Sequence, residues 1–129
     1  MSFFGEAEHA LDDKGRFVIP AIFRDSLHGP LYFALGDEGE VAIWPQTGFD
    51  RKLAQKQAKE LEGREGAREL RLFTSNAANV KVDAQFRVAI PESLRQKAGL
   101  VREVTIIGAA DRIEIWDKST YATYMGAGA

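Results

Sequence analysis

Two short stretches hold the side chains best placed to touch a ligand. Asp12-Asp13-Lys14-Gly15-Arg16 sets a carboxylate four residues before a guanidinium, with a lysine and a glycine between them. Asp83-Ala84-Gln85-Phe86-Arg87 keeps the same Asp and Arg spacing. Arginine offers a planar fork of five N–H donors that matches phosphate oxygens and the guanine edge. Lys14 adds a point charge, and Gln85 offers a hydrogen bond without one. Two readings stand open for each pair. The aspartate pins a tight turn by pairing with the arginine across the loop mouth, or it orients an arginine that reaches outward; the two are compatible. Gly15 suits a turn that needs positive φ. Phe86 at the matching position argues against positive φ there, so that loop is either differently shaped or differently used. Its ring would pack in a core or an interface, or stand exposed against a ligand.

Other chemistry finds little material. The chain has no cysteine and two histidines, His9 and His28, so thiolate catalysis and Cys-based metal sites are excluded. Glu8, His9, Asp12 and Asp13 are close in sequence, but strand alternation would split them between faces. Neither a G-x-x-x-x-G-K-[S/T] nor a G-x-G-x-x-G phosphate loop occurs, and no nucleophile–base pairing stands out. The expectation is a protein that is not an enzyme, with no catalytic residue, no metal and no cofactor. No apolar run is long enough to span a bilayer. The N-terminal residues lack the basic and apolar regions of a secretory signal, which with the absence of cysteine favours the cytoplasm.

The elements around the two stretches repeat. Residues 11–20 (LDDKGRFVIP) are echoed about 71 residues later by 82–91 (VDAQFRVAIP). Phe23-Arg24 falls on Leu94-Arg95, and EVAIW (40–44) on RIEIW (112–116) after a one-residue slip. Each copy reads as strand, turn, short strand, proline-opened helix and hairpin. The first helix is expected from Pro20 to Gly29, the second from Pro91 to Gly99. Residues 49–62 are rich in helix formers, with Phe49, Leu53, Ala54, Ala58 and Leu61 near one face. A shorter helical piece is expected at 67–73. Ion pairs Lys56–Glu60 and Lys59–Glu62 would suit a solvated connector. A last helix at 117–125 has Asp117 or Ser119 as its N-cap. The organisation expected is a first repeat at 1–50, a helical connector at 51–75, a second repeat at 76–125 and a disordered tail at 126–129. Trp44 and Trp116 occupy matching strand ends, as packing residues of a core or a subunit contact.

Copies this short cannot each bury a core, so they should share one. The fold expected is α+β, mainly β: a pseudo-two-fold, intertwined, barrel-like core with short helices and a helical connector. The formal net charge of -2 is mild evidence against a nucleic-acid partner, but its distribution is uneven. Residues 1–50 carry three Lys/Arg against nine Asp/Glu, residues 51–80 seven against four, and residues 81–129 seven against six. Basic loops grouped on one face, or multiplied in an oligomer, could still engage phosphate.

The opening FFGEAEHALDDKGRFVIPAIFR (3–24), EVAIW (40–44), RELRLFTSNAANVKVDAQFRVAIPESLRQKAGL (68–100) and DRIEIWDKSTY (111–121) together resemble the MraZ family, over almost the whole chain. The resemblance implies two fused AbrB-type swapped-hairpin domains forming a swapped-hairpin β-barrel. It implies a cytoplasmic, nucleoid-associated transcriptional regulator, generally a repressor, that binds short direct repeats of double-stranded DNA. The promoter would be that of a cell-division and cell-wall gene cluster, and the regulator a ring-shaped homo-oligomer without cofactor or membrane partner. Carried onto this chain, the family motif makes Lys14, Arg16, Gln85 and Arg87 the DNA-binding residues and Asp12, Gly15 and Asp83 the residues that orient the loops. Ala84 and Phe86 depart from the family's usual basic residue and glycine, which implies a weaker second loop. The alternative is an AbrB-like interaction or toxin-partner module without promoter control, in which the Asp–Arg pairs serve only as hairpin pins.

Overall fold

The computed structural model describes residues 2–126. Strand β1 (Glu6–Ala10) and strand β2 (Arg16–Val18) flank the first Asp–Arg loop, and helix α1 (Ala21–Arg24) follows Pro20. The hairpin β3 (Leu31–Leu35) and β4 (Val41–Pro45) leads into helices α2 (Gln46–Glu60) and α3 (Arg64–Ser75). The second half runs β5 (Ala78–Asn79), β6 (Arg87–Ala89), α4 (Glu92–Ala98), the hairpin β7 (Glu103–Gly108) and β8 (Ile113–Asp117), and α5 (Lys118–Gly126). The architecture is α+β with antiparallel sheets.

The two halves interleave. The six-stranded sheet has the order β1-β7-β8-β4-β3-β5, and β2 pairs with β6 in a separate ribbon. Apart from the hairpins β3–β4 and β7–β8, every strand pairing joins one repeat to the other. The centre of the order lies between β8 and β4, where Ala42 stands opposite Glu114. Neither half could satisfy its strand edges alone, which is why repeats of this length share one sheet.

The described strands do not close into the expected barrel. The sheet ends at β1 on one side and β5 on the other. Strand β5 has two residues and pairs only Ala78 with Phe33 and Asn79 with Tyr32. Each ribbon strand has three residues, too few to bridge from one sheet edge to the other. The ribbon packs across the sheet instead, through Phe17 and Val88.

Alternation along the strands sorts the two sheet faces. Phe33, Val41, Ile43, Val104, Ile106, Ile113 and Ile115 point toward the ribbon and the helices α1 and α4. There they meet Phe17, Ile19, Phe23, Val88, Ile90 and Leu94 in one buried core. Each such side chain contributes about 1.5–3 kcal/mol of burial. The opposite face carries Ala34, Ala42 and Trp44, covered by Phe73, Phe49 and Leu53 of the connector helices. Tyr32, Phe49 and Phe73 stack with ring centroids 4.5 and 5.4 Å apart.

Several local expectations change. Helix α1 stops at Arg24 rather than running toward Gly29. Helix α2 starts three residues early and α3 begins at Arg64. Leu61 leaves the apolar face and is 89% exposed, because the helix has already ended. Gly66 lets α3 pass close to the backbone of Lys59, where any side chain would collide. The ion pairs also differ: Lys52 and Lys56 both reach Asp37, at 2.8 and 3.0 Å, and Lys59 reaches Glu69 at 3.5 Å. The connector is therefore tied to the first hairpin and to itself across its turn, not along a single helix. Burial of Asp37 would raise its pKa, but the hydrogen bonds and charges of half-buried Lys52 and buried Lys56 win and hold it down to about 2. Asp117 caps α5, accepting from the Thr120 backbone N–H at 3.0 Å. Of the expected tail, Gly126 ends α5, and 127–129 lie outside the described residues.

Candidate nucleic-acid interface

The two Asp–Arg loops have one geometry. In the first, Asp12 Oδ1 accepts the backbone N–H of Lys14 at 2.9 Å and of Arg16 at 2.8 Å, and Asp12 Oδ2 accepts Arg16 Nε at 2.7 Å. In the second, Asp83 Oδ1 accepts from Gln85 at 2.8 Å and Arg87 at 2.9 Å, and Asp83 Oδ2 accepts Arg87 Nε at 2.7 Å. The backbones agree as well. Gly15 donates to the Asp12 carbonyl and Asp12 to the Arg16 carbonyl; Phe86 and Asp83 make the same two bonds. This is a tight turn closed by a left-handed residue, a bulged hairpin connection. The backbone bond from the arginine, then its side-chain bond, lowers the pKa of each aspartate.

The left-handed residue overturns the expectation for the second loop. Gly15 has φ of 73° and Phe86 has φ of 61°. A large side chain in that conformation costs about 1–2 kcal/mol. The surrounding bonds over-determine it: Phe86 donates to Asp83, and its carbonyl accepts Ile19 N–H at 2.8 Å. Its ring is 37% exposed and stands outside the core. It lies under the Arg24 guanidinium, whose central carbon is 4.6 Å from the ring centroid.

That contact exposes two residues to which the sequence reading gave no role. Arg24 and Arg95 leave their helices at equivalent points, and each donates Nε to a backbone carbonyl, Ile19 and Ile90 respectively, at 3.0 Å. Arg95 then lies over Gly15, where a β-carbon would run into its guanidinium. Each loop is thus covered by an arginine from the other repeat. The signal was present in the repeated Phe23-Arg24 and Leu94-Arg95, but only the interleaved fold brings them to the loops.

Arg16 and Arg87 meet on the ribbon. Arg16 pairs with Ala89 and Arg87 with Val18, while Phe17 and Val88 point inward. The outward face therefore carries the two arginines as diagonal neighbours, about 7–8 Å apart at their backbones. Their side chains are 45% and 50% exposed. Only Nε of each is engaged by its aspartate, so both Nη groups have no protein acceptor among the described residues. Lys14 and Gln85 are exposed at the two turns. Within each loop the acid and base charges cancel; Arg95 and Arg24 add one positive charge to each. The arrangement can grip phosphates or the acceptor edge of a base. Among the described residues no group of three potential metal ligands lies together, and no helix is long and apolar enough to cross a membrane.

The MraZ family model, whose description likens the family to antitoxins, matches residues 2–71 and again 73–127. The chain belongs to the MraZ family. It is similar to the transcriptional regulator MraZ of Micrococcus luteus, 38% identical over 95% of this chain and 86% of the relative. It is similar to that of Kineococcus radiotolerans, 39% identical over the same shares, and to that of Lachnoclostridium phytofermentans, 38% identical over 92% and 84%. The MraZ family is one of transcriptional regulators, not of enzymes. The match in two parts follows the two repeats.

Proposed function

We propose that the chain is a sequence-specific DNA-binding repressor that reads its operator with the β2–β6 ribbon. The observation that carries this reading is the diagonal pair of half-exposed arginines on the outward ribbon face. A two-stranded ribbon fits the major groove, about 12 Å wide. Arg16 and Arg87 reach base edges or phosphates, Lys14 and Gln85 engage the flanking backbone, and Asp12 and Asp83 hold both arginines in register. Gly15 gives the first loop its turn and makes room for Arg95. Arg24 and Arg95 complete the basic surface from behind. The interleaved pairing is what two fused swapped-hairpin units of the AbrB type would produce.

One protomer with a net charge of -2 binds weakly. A ring of protomers presenting several ribbons to short direct repeats binds through linked contacts, and repeats one helical turn apart keep the ribbons on one side of the duplex. The target is the promoter of a cell-division and cell-wall gene cluster. The antitoxin-like description of the family favours a second reading, a module that binds a protein partner without promoter control. A gel shift on the chain's own upstream region separates the two. The joint Arg16→Ala and Arg87→Ala variant should abolish the shift while its circular dichroism stays that of the wild type. Unchanged affinity in that variant removes the ribbon from the DNA contact.

A further inference from the structure

On the sheet face turned away from the ribbon, a cavity of about 430 Å³ opens between the two hairpins, α2 and α5. Four aromatic rings line it: Trp44, Trp116, Tyr121 and Tyr124. So do two carboxylates, Glu40 and Glu114, each only 5% exposed. Glu40 Oε1 accepts the Glu38 backbone N–H at 3.0 Å, and Glu114 accepts from Arg112 and Trp116. Burial first, and then Glu114, push Glu40 up to about 7.

The repeats depart from each other most sharply here. Arg112 stands where the first repeat has Glu40, and Glu114 stands where it has Ala42. Trp116 Nε1 donates to Glu114 Oε1 at 3.0 Å. Its counterpart, Trp44 Nε1, is buried, meets Ala42 at the matching position and has no acceptor among the described residues. The cations beside the cavity are already engaged. Arg112 is spent on Glu114, Asp111 and the Ala109 carbonyl, and Lys52 on Asp37. Among the described residues, Glu38 and Glu40 have no ion-pair partner.

We propose that this cavity binds a small organic ammonium compound that also carries a hydrogen-bond acceptor. The ammonium lies against the Trp116, Tyr121 and Tyr124 rings, which attract cations through their faces, with its charge beside the Glu40 and Glu114 carboxyls; the Trp44 ring already carries Arg112, whose guanidinium carbon is 5.2 Å from its centroid. The acceptor oxygen answers the Trp44 N–H. Glu40 belongs to the first repeat and Glu114 to the second, so the ligand spans the seam between them. The site lies across the sheet from the ribbon and does not depend on how DNA is bound.

The groups facing Glu40 are Glu114 and Arg112 beside it on the sheet, Asp37 and Glu38 in its turn, Lys52 from α2, and Tyr121 and Tyr124 from α5. Of these, Glu40 is the one pushed close to neutrality. A permanent cation should therefore bind more tightly as pH rises from about 6 to about 8, because the proton it displaces is then already leaving.

Choline, ethanolamine and the uncharged isostere of choline in which carbon replaces nitrogen are the probes. Both tryptophans of the chain line the cavity, so its intrinsic fluorescence reads occupancy directly. The expected result is saturable quenching or enhancement by at least one of the cations at millimolar concentration. The isostere should bind about tenfold more weakly, and the isosteric variant Glu40→Gln should lose about tenfold in cation affinity with an unchanged circular dichroism spectrum. Calorimetry on Trp44→Phe, which keeps the ring and removes the donor, should show a several-fold loss. The proposal is overturned if neither cation saturates, if the isostere matches choline, or if Glu40→Gln binds as the wild type does.

Discussion

The two Asp–Arg loops differ at three of five positions yet hold the same shape. The first has Asp13, Lys14 and Gly15; the second has Ala84, Gln85 and Phe86. The shape comes from elsewhere. The aspartate accepts three hydrogen bonds from the two following residues that matter, and the opposite loop donates one backbone bond to each carbonyl at the bulge: Ile19 to Phe86 and Ile90 to Gly15. Those bonds are common to both loops and suffice to hold even a phenylalanine at positive φ. What differs is charge at one turn and how the covering arginine is seated, over a bare backbone in one case and over a ring in the other. Side chains that define a conformation and side chains that merely occupy it can be told apart only when two copies vary independently.

Arg16→Ala and Arg87→Ala should each weaken operator binding about tenfold to a hundredfold, the range for losing one good base contact. A gel shift in which only Arg16→Ala weakens binding would restore the inequality implied by the sequence. Next in size is the glycine. Gly15→Val should lose about 1–3 kcal/mol in urea unfolding from backbone strain, with displacement of Arg95 in addition. Phe86→Gly, which releases strain but removes the ring under Arg24, should stay within about 1 kcal/mol of wild type. Equal losses in the two would mean that the loops are not conformational equivalents.

A smaller effect concerns charge alone. Gln85→Lys should tighten binding at low salt and steepen the decline of log affinity with log salt by about one phosphate contact for each loop engaged. Lys14→Gln should do the reverse. The smallest effect is in acid. Both aspartates have folded pKa values below their ordinary value of 3.8. Their contribution is therefore complete above that value and is lost as pH falls through the lower folded value. Protection factors of the Arg16 and Arg87 amides, measured against the intrinsic rate at each pH, should fall together below about pH 4; one loop loosening at a higher pH than the other would break the equivalence.

Much of the fold was legible from the repeat. Proline-opened helices, hairpins around Gly36–Gly39 and a shared core follow from turn residues and alternation. The Asp and Arg pairing was legible as well, since four-residue spacing across a turn leaves few alternatives. The open sheet was not, because closure depends on the length of β5, which no pattern in Ala77–Val82 announces. Phe86 at positive φ was not legible, because local propensity is outweighed by a hydrogen bond from the other repeat, Ile19 N–H to the Phe86 carbonyl. The roles of Arg24 and Arg95 were not legible for a related reason: each acts on a loop about 60–80 residues away in sequence, and only strand exchange between repeats brings them together. The connector's ion pairs were assigned along the helix because sequence shows local neighbours, whereas Lys52 and Lys56 found Asp37 in the preceding hairpin.

The strand exchange also bears on how the chain is made. Strand β1 finds its partner in β7, nearly a hundred residues later, and β2 waits for β6. A ribosome adding about 5–20 residues each second leaves the first repeat without its partner strands for several seconds or more. During that time its edges are open to any other copy of the same sequence, and neighbouring nascent chains on one message carry it. Pairing within one chain and pairing between chains use the same edges, so the order of synthesis favours the first only if the connector brings the second repeat back quickly. The α2–α3 hairpin, built from local contacts that form fast, is suited to that task.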